Sequence, residues 1–359
     1  MTKFLLAGGG TAGHVNPMLA LAQSLRSLDH QVITLGTKEG LEARLVPQRG
    51  FELLTIERLP FPRKPSGYAL FFPLRFAKAV AEVMGMLRKH EIDAVVGFGG
   101  YASAPAYVAA FLSRKPLVIH EANALAGIAN RIGAKLTKHI AVAFNNSDLS
   151  PVAITGMPLR PEIVQSVLGY DKEQARLELG LNPFMTTLLV TGGSLGAKSI
   201  NDAVIESRAV LNAAGIQILH IVGDRANLPE VSESGYHRIA YCDRMDAAIA
   251  AADMAVSRAG SSTVSEFSAC GLPAIYVPYP VGNGEQKFNA ETVVQAGGGK
   301  LVVDSDFTPD YISGELIPIM SHSSSLRRMA EAAKSVGIPD ATERLRDLVL
   351  AAVNTNTRD

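Results

Sequence analysis

Two doubly wound α/β domains in tandem, each built on a parallel sheet, are expected from three features of this sequence. Short apolar runs alternate with longer helix-patterned stretches throughout, and each half opens on an apolar strand that ends in a glycine turn. A proline-bracketed segment, Met157-Pro158-Leu159-Arg160-Pro161, divides the halves. Continuous apolar strands separated by helices imply a parallel sheet covered on both faces, with right-handed crossovers. A length of 359 residues suits about two domains of ordinary size.

In the first half, Phe4–Ala7 reads as a buried strand, followed by glycines and a helix with Leu19, Leu21, Leu25 and Leu28 along its apolar stripe. The next strands read as Gln31–Leu35, Phe51–Ile56, Ala94–Phe98, Leu117–His120 and Ile140–Phe144. The pattern restarts at Thr187–Thr191, with a helix near Ala197–Leu211. Strands follow at Ile216–Val222, Arg238–Tyr241, Met254–Ser257, Ala274–Val277 and Lys300–Val303. Pro158 and Pro161 disfavour helix and read as a hinge. Domain limits of 1–160 and 161–339 follow, and a last helix at about 340–359 is expected to cross back onto the first domain.

Lysine and arginine together number 34, as do aspartate and glutamate, so the formal charge is zero; apolar residues make up 47% and charged ones 19%. That balance excludes a disordered chain and argues against nucleic acid as a partner, which needs a basic face. Cys242 and Cys270 are too few for a disulfide framework or a cysteine zinc cluster, and read as reduced thiols of a cytosolic protein. Met1-Thr2-Lys3 leads straight into a strand, so no signal peptide is expected, and no stretch is apolar enough to span a bilayer.

Gly8-Gly9-Gly10-Thr11-Ala12-Gly13 has the G-x-G-x-x-G spacing between a strand and a helix. There backbone amides approach an anion and the helix N-terminus adds partial positive charge. A dinucleotide site also needs an acid at the end of the second strand. The chain reads Thr34-Leu35-Gly36-Thr37-Lys38 there, with no acid before Glu39, which weakens a nicotinamide or flavin reading. A tight turn without a ligand is the plain alternative. His14 follows at the helix start, where the dipole favours neutral imidazole, suited to act as a general base or to donate to a phosphate. A structural histidine capping the turn is the alternative.

The second loop, Thr191-Gly192-Gly193-Ser194-Leu195-Gly196, holds G-x-S-x-G at a strand-to-helix turn, where a hydrolase nucleophile would sit. Ser194 would then need a downstream acid and histidine, supplied only by Asp224 or Asp243 with His237 or His322, and the first domain would lack a purpose. As a phosphate cradle, Ser194 offers its hydroxyl and amide to a diphosphate. The third loop, Ser257 to Glu266, contains a formal capping box, Thr263-x-x-Glu266. Ser261, Ser262, Thr263 and Ser265 supply more donors than a cap uses, and Glu266 is placed to accept two ribose hydroxyls. Gly97-Phe98-Gly99-Gly100-Tyr101 and His120-Glu121-Ala122-Asn123 mark two more strand ends. Open parallel sheets bind ligands at those ends, so the convergence points to a nucleotide-linked substrate.

Asp304-Ser305-Asp306 matches the D-x-D letters of metal-dependent sugar transfer, but its place before Phe307-Thr308-Pro309 reads as a turn and cap, with no metal. Departing diphosphate charge would then be met by helix N-termini, amides and hydroxyls. Phe61 to Lys78 mixes Arg63, Lys64, Arg75 and Lys78 with aromatics and leucines and contains no acid. This mixture suits the surface of an anionic membrane, with Phe71, Phe72, Arg75 and Phe76 as the expected contacts. Aromatics packed into the first domain beneath a solvated rim of cations are the alternative.

The glycine, His14, Tyr101, Asn123 and third-loop motifs, with Thr155 to Arg160 and Gln286-Lys287-Phe288-Asn289-Ala290, stand in the order found in the MurG family, which the chain resembles over nearly its whole length. These bacterial transferases carry N-acetylglucosamine from UDP-GlcNAc to lipid I, making lipid II. The resemblance implies a GT-B fold: two Rossmann-like domains with an interdomain cleft, the donor held mainly by the second and the lipid-linked acceptor by the first. It places donor contacts on Thr11, Ala12, Gly13, Asn123, Arg160, Ser194, Cys242, Ser261, Ser262, Thr263, Val264, Ser265, Glu266, Gln286 and Asn289. In that picture Glu266 takes the ribose, the uracil lies by Cys242, and Gln286 and Asn289 approach the sugar.

His14 is then the favoured base or phosphate contact, with Tyr101 and Glu121 nearby, and no cofactor or metal is implied. The family has Gly where this chain has Ala12, and often Ala-Leu at Ser261-Ser262. The implied reaction is an inverting transfer to the 4-hydroxyl of N-acetylmuramate, at the cytoplasmic face of the bacterial inner membrane. Its setting is peptidoglycan synthesis, with cell shape and division downstream and other cell-wall synthesis proteins as partners. A UDP-GlcNAc 2-epimerase of the same fold, or a non-catalytic nucleotide-sugar sensor, are the alternatives.

Overall fold

The computed structural model describes residues 1–62, 64–151, 153–167, 169–193, 195–281 and 283–356. The chain forms two compact units, residues 1–160 with 340–359, and residues 161–339.

The first unit carries β1 (Lys3–Ala7), β2 (Gln31–Thr37), β3 (Glu52–Ile56), β4 (Ala94–Gly97), β5 (Leu117–Glu121), β6 (His139–Val142) and β7 (Ala153–Ile154). They pair in parallel in the order β3-β2-β1-β4-β5-β6-β7. Alternation along β1 sorts its side chains into two cores, as a period of two demands. Leu5 and Ala7 join one core with Leu35 and Val95; Phe4 and Leu6 join the other with Ala94 and Val96. That second core also takes Leu345, Val349 and Ala352 of the helix Ala341–Asn356, which packs on the helix Ala12–Arg26. Burying Leu345 and Val349 contributes on the order of 4 kcal/mol, enough to anchor a terminal helix.

The second unit carries β8 (Thr186–Thr191), β9 (Ile216–Ile221), β10 (Val231–Glu233), β11 (Tyr236–Ile239), β12 (Met254–Ser257), β13 (Ala274–Tyr276) and β14 (Gly299–Leu301). Their order is β10-β11-β9-β8-β12-β13-β14, parallel except for β10, which runs antiparallel to β11. Neither β7 nor β10 is in the sequence reading.

Each sheet has a point where strand order reverses, and the glycine loops lie there. Connections leave β1 and β4 towards opposite sides in the first unit, and β8 and β12 do so in the second. Such points open a crevice at the carboxyl ends of the strands.

Phe61 to Lys78 holds the first half of a long helix, Gly67–Lys89, capped by Ser66, whose Oγ accepts from the Ala69 amide at 3.2 Å. This corrects part of the expected membrane contact. Phe72 and Phe76 turn inward with Phe61 to pack on the core, with ring centroids 5.4 Å (Phe61–Phe72) and 5.9 Å (Phe72–Phe76) apart. Helical spacing leaves Leu70, Phe71 and Leu74 outward, 74%, 57% and 70% exposed. Arg75 is exposed beside them, its guanidinium 5.6 Å from the Tyr68 ring centroid. Arg63 lies outside the described residues. Among the described residues no helix is long and apolar enough to cross a membrane.

Candidate active site

In the first unit the loop after β1 leads into the helix Ala12–Arg26. Its N-cap, Thr11, is extended and makes no side-chain cap, so the amides of the first turn lack a side-chain partner. Ala12 and Gly13 open that turn. The loop after β4 lies against this one: Gly100 has φ +89°, and a Cβ there would come within 2.4 Å of the Gly9 carbonyl oxygen. His14 stands between the loops. Its Nδ1 lies 3.0 Å from the Gly9 carbonyl oxygen and 3.2 Å from Thr11 Oγ1. A carbonyl only accepts, so Nδ1 carries the proton, and whenever the ring is neutral Nε2 presents the lone pair. Nε2 makes no hydrogen bond among the described residues, and the ring edge lies against Gly99. Tyr101 stacks under Arg58, whose guanidinium is 4.7 Å from the ring centroid and donates to the phenol oxygen at 3.4 Å.

Glu121 does not stand ready as a base. Its Oε1 accepts from the Asn123 amide at 2.9 Å, and its Oε2 from the Gly127 amide at 3.0 Å and Asn130 Nδ2 at 2.8 Å. The side chain is buried, and these three bonds fold the 121–127 loop around it. The Asn130 side-chain oxygen accepts from Tyr107 at 2.6 Å, extending the network into the core. Beside it, burial holds the His120 imidazole down to about 4, so the ring is neutral and its Nε2–H donates to the Gly156 carbonyl at 2.9 Å. That bond ties the end of β5 to the 155–160 segment, which ends at the half-buried Arg160.

In the second unit, the loop after β8 turns at Gly193, whose amide donates to Thr191 Oγ1 at 3.2 Å, and at Gly196, whose amide donates to the Gly193 carbonyl at 2.9 Å. Ser194 lies outside the described residues. After β12 the helix Ser261–Cys270 starts from Gly260, an extended N-cap without a side-chain bond. The expected capping box is therefore absent, because Thr263 is already one turn inside. The amides of Ser261, Ser262 and Thr263 are left at an uncapped N-terminus, and the Ser262 hydroxyl is buried with no hydrogen-bond partner among the described residues. An orphan hydroxyl costs about 1–3 kcal/mol unless a ligand satisfies it. Glu266 is 8% exposed on the second turn, and Thr263 and Ser265 are half-buried.

Two expected contacts are corrected here. Val264 lies in the core and its amide donates to the Gly260 carbonyl at 3.0 Å, so neither faces a ligand. Asn289 is buried and its Nδ2 donates to the Ala259 carbonyl at 3.3 Å, holding the third loop from beneath. Gln286, half-buried on the helix Glu285–Gln295, accepts from the Tyr279 amide at 2.9 Å. Cys242 is buried just past β11.

Asp304 pairs with Arg258 and accepts from Ser199 Oγ at 2.7 Å, so Asp304 braces the second and third loops together through those two partners. Among the described residues no cluster of three or more metal-ligating side chains occurs. Arg258 stood unremarked in the sequence because its partner lies 46 residues away.

Residues 4–142 match the glycosyltransferase family 28 N-terminal domain and residues 187–345 the glycosyltransferase family 28 C-terminal domain. A Clavibacter sepedonicus protein named UDP-N-acetylglucosamine–N-acetylmuramyl-(pentapeptide) pyrophosphoryl-undecaprenol N-acetylglucosamine transferase is 52% identical, over 98% of this chain and 97% of its own. A Mycolicibacterium smegmatis protein of the same name is 46% identical over 96% and 93%. The crystal structure of Acinetobacter baumannii MurG superposes with a TM-score of 0.80 at 27% identity, covering 98% of this chain and all of the other. The chain therefore belongs to glycosyltransferase family 28, as a GT-B enzyme of the MurG group.

Proposed function

We propose that this glycosyltransferase moves N-acetylglucosamine from UDP-GlcNAc to the 4-hydroxyl of N-acetylmuramate in lipid I, forming lipid II through a β-1,4 bond. Full-length identity above one half with a relative named for that transfer carries the reading. The 4-hydroxyl oxygen attacks C1 of the α-linked sugar; the new C1–O bond forms as the bond to the β-phosphate breaks, inverting the centre. His14 Nε2 takes the hydroxyl proton, and UDP leaves with the electron pair. The amides of Ser261 to Thr263 and the Ser262 hydroxyl meet the growing diphosphate charge, since preorganised donors stabilise charge developing in a transition state. Glu266 holds the ribose.

Acceptor-dependent UDP release that survives a metal chelator is the expected result with a short-chain lipid I analogue. No release under either condition, with donor still bound, would reject the transferase in favour of an epimerase or sensor. Release lost only on chelation would revive Asp304 and Asp306 as ligands. In the same assay Glu266→Ala should raise the donor KM by about tenfold or more, the effect of losing hydrogen bonds to a charged group; an unchanged KM would reject the ribose role.

Membrane contact by the Gly67–Lys89 helix is part of the same proposal, and Leu70, Phe71, Leu74 and Arg75 support it by their exposure. Removing about 2 kcal/mol of apolar burial for each large side chain should weaken binding to anionic vesicles by two orders of magnitude or more in a Leu70→Ser, Phe71→Ser, Leu74→Ser triple variant. Unchanged sedimentation with vesicles would remove this surface. The peripheral site at the cytoplasmic face of the inner membrane rests on that contact.

A further inference from the structure

Glu42 has no part in the mechanism above, yet it is a fully buried acid directly beneath the glycine loop. It begins the short helix Glu42–Gln48 and points back under the ends of β1 and β2. Its Oε1 accepts from the Thr37 amide at 2.8 Å and the Thr37 hydroxyl at 2.9 Å, and its Oε2 accepts from the Gly10 amide at 2.8 Å. Two backbone N–H groups are aimed at separate oxygens, so both oxygens act as acceptors. Three glycines make room for it: a Cβ would fall 2.3 Å from Oε1 at Gly9, 2.4 Å from Cγ at Gly36 and 2.1 Å from Oε2 at Gly40. A side chain at any of them would displace the carboxylate.

The Gly10 N–H that Glu42 accepts and the Gly9 C=O that His14 Nδ1 donates to belong to one peptide group. We propose that Glu42 is a positioning residue for His14, acting through the Gly9–Gly10 peptide. Negative charge at the N–H end polarises the peptide and strengthens its carbonyl as an acceptor. The stronger acceptor holds the proton on Nδ1, fixes the ring plane, and leaves Nε2 as the lone-pair nitrogen. A carboxylate that contacts a catalytic histidine directly does the same orienting work; here a peptide stands between them. The other titratable or charged groups around the site are Arg58, on which Glu39 and Glu42 both act, Tyr101 beneath it, the neutral His120, and Glu121 held beyond Asn130.

The inference rests on His14 being the base, and the test separates the two. In full-length protein labelled with ¹⁵N-histidine, the His14 resonances, assigned by their loss in His14→Gln, should show the Nδ1–H tautomer at pH 8. The Nε2–H tautomer in the unmodified protein would overturn the proposal without any variant needing to fold. In Glu42→Gln the side chain keeps one acceptor oxygen, so the Gly10 and Thr37 amides can no longer each meet an oxygen of their own. That variant should lose the single tautomer, and its kcat should fall roughly tenfold or more, with donor KM changed less than twofold. A Glu42→Gln protein with lower thermal stability but an unmoved tautomer and an unchanged kcat would make Glu42 merely structural. If His14→Ala retained activity while the tautomer matched, the base reading would fail and the coupling would stand.

Discussion

Replacing His14 with alanine is expected to lower kcat by about a hundredfold or more while leaving the donor KM within a few-fold of its original value. Among the described residues of the two loops, His14 alone combines a fixed tautomer with a nitrogen that accepts no hydrogen bond. Its Nδ1 is held by the Gly9 carbonyl, so no rearrangement precedes proton uptake at Nε2. Steady-state rates with a lipid I analogue, measured from pH 6 to 9, check this. A loss of only a few-fold would remove His14 as the base and return it to a turn-capping role.

Glu121→Ala is expected to act on stability. It strands the amides of Asn123 and Gly127 and the Asn130 side chain, three donors that now share one buried carboxylate. Leaving such a group without its partner costs about 3–5 kcal/mol, which for a domain of this size lowers the melting temperature by on the order of 10 °C. Glu121→Gln keeps one acceptor oxygen and should fall between the two. Thermal unfolding followed by circular dichroism distinguishes this from a catalytic role. An Ala variant that melts with the parent yet turns over no substrate would restore Glu121 as a candidate base.

The reading of Glu121 and Asn289 as substrate-facing failed for one reason. Glu121 ends strand β5 and Asn289 lies on the helix Glu285–Gln295, and at both places polar residues serve ligands and also satisfy the backbone of neighbouring loops. A sequence does not say which. Glu121 receives two amides from residues two and six positions ahead, a local pattern that only a closed loop creates. Asn289 reaches Ala259, thirty positions back, because neighbouring strand connections meet there. Val264 was placed by its motif neighbours, although its position on the helix turns it to the core.

The same limit hid Glu42. A search for an acid at the end of β2 looks for a side chain aimed outward at a ribose, and none precedes Glu39. The acid that matters comes after the turn and points inward, and three glycines open the space it fills.

Local pattern alone determined the number and order of the main strands and the two glycine turns, because apolar periodicity and glycine spacing are local properties. Family motifs in fixed order carried the chemistry. Tertiary structure decided which of the strand-end polar groups remain open to a substrate and which are consumed by the scaffold. It also decided that Phe72 and Phe76 turn inward while Leu70, Phe71 and Leu74 turn out. Those outcomes depend on hydrogen bonds and packing between residues far apart in sequence, where burial makes every unmatched donor costly and so sets the partner of each one.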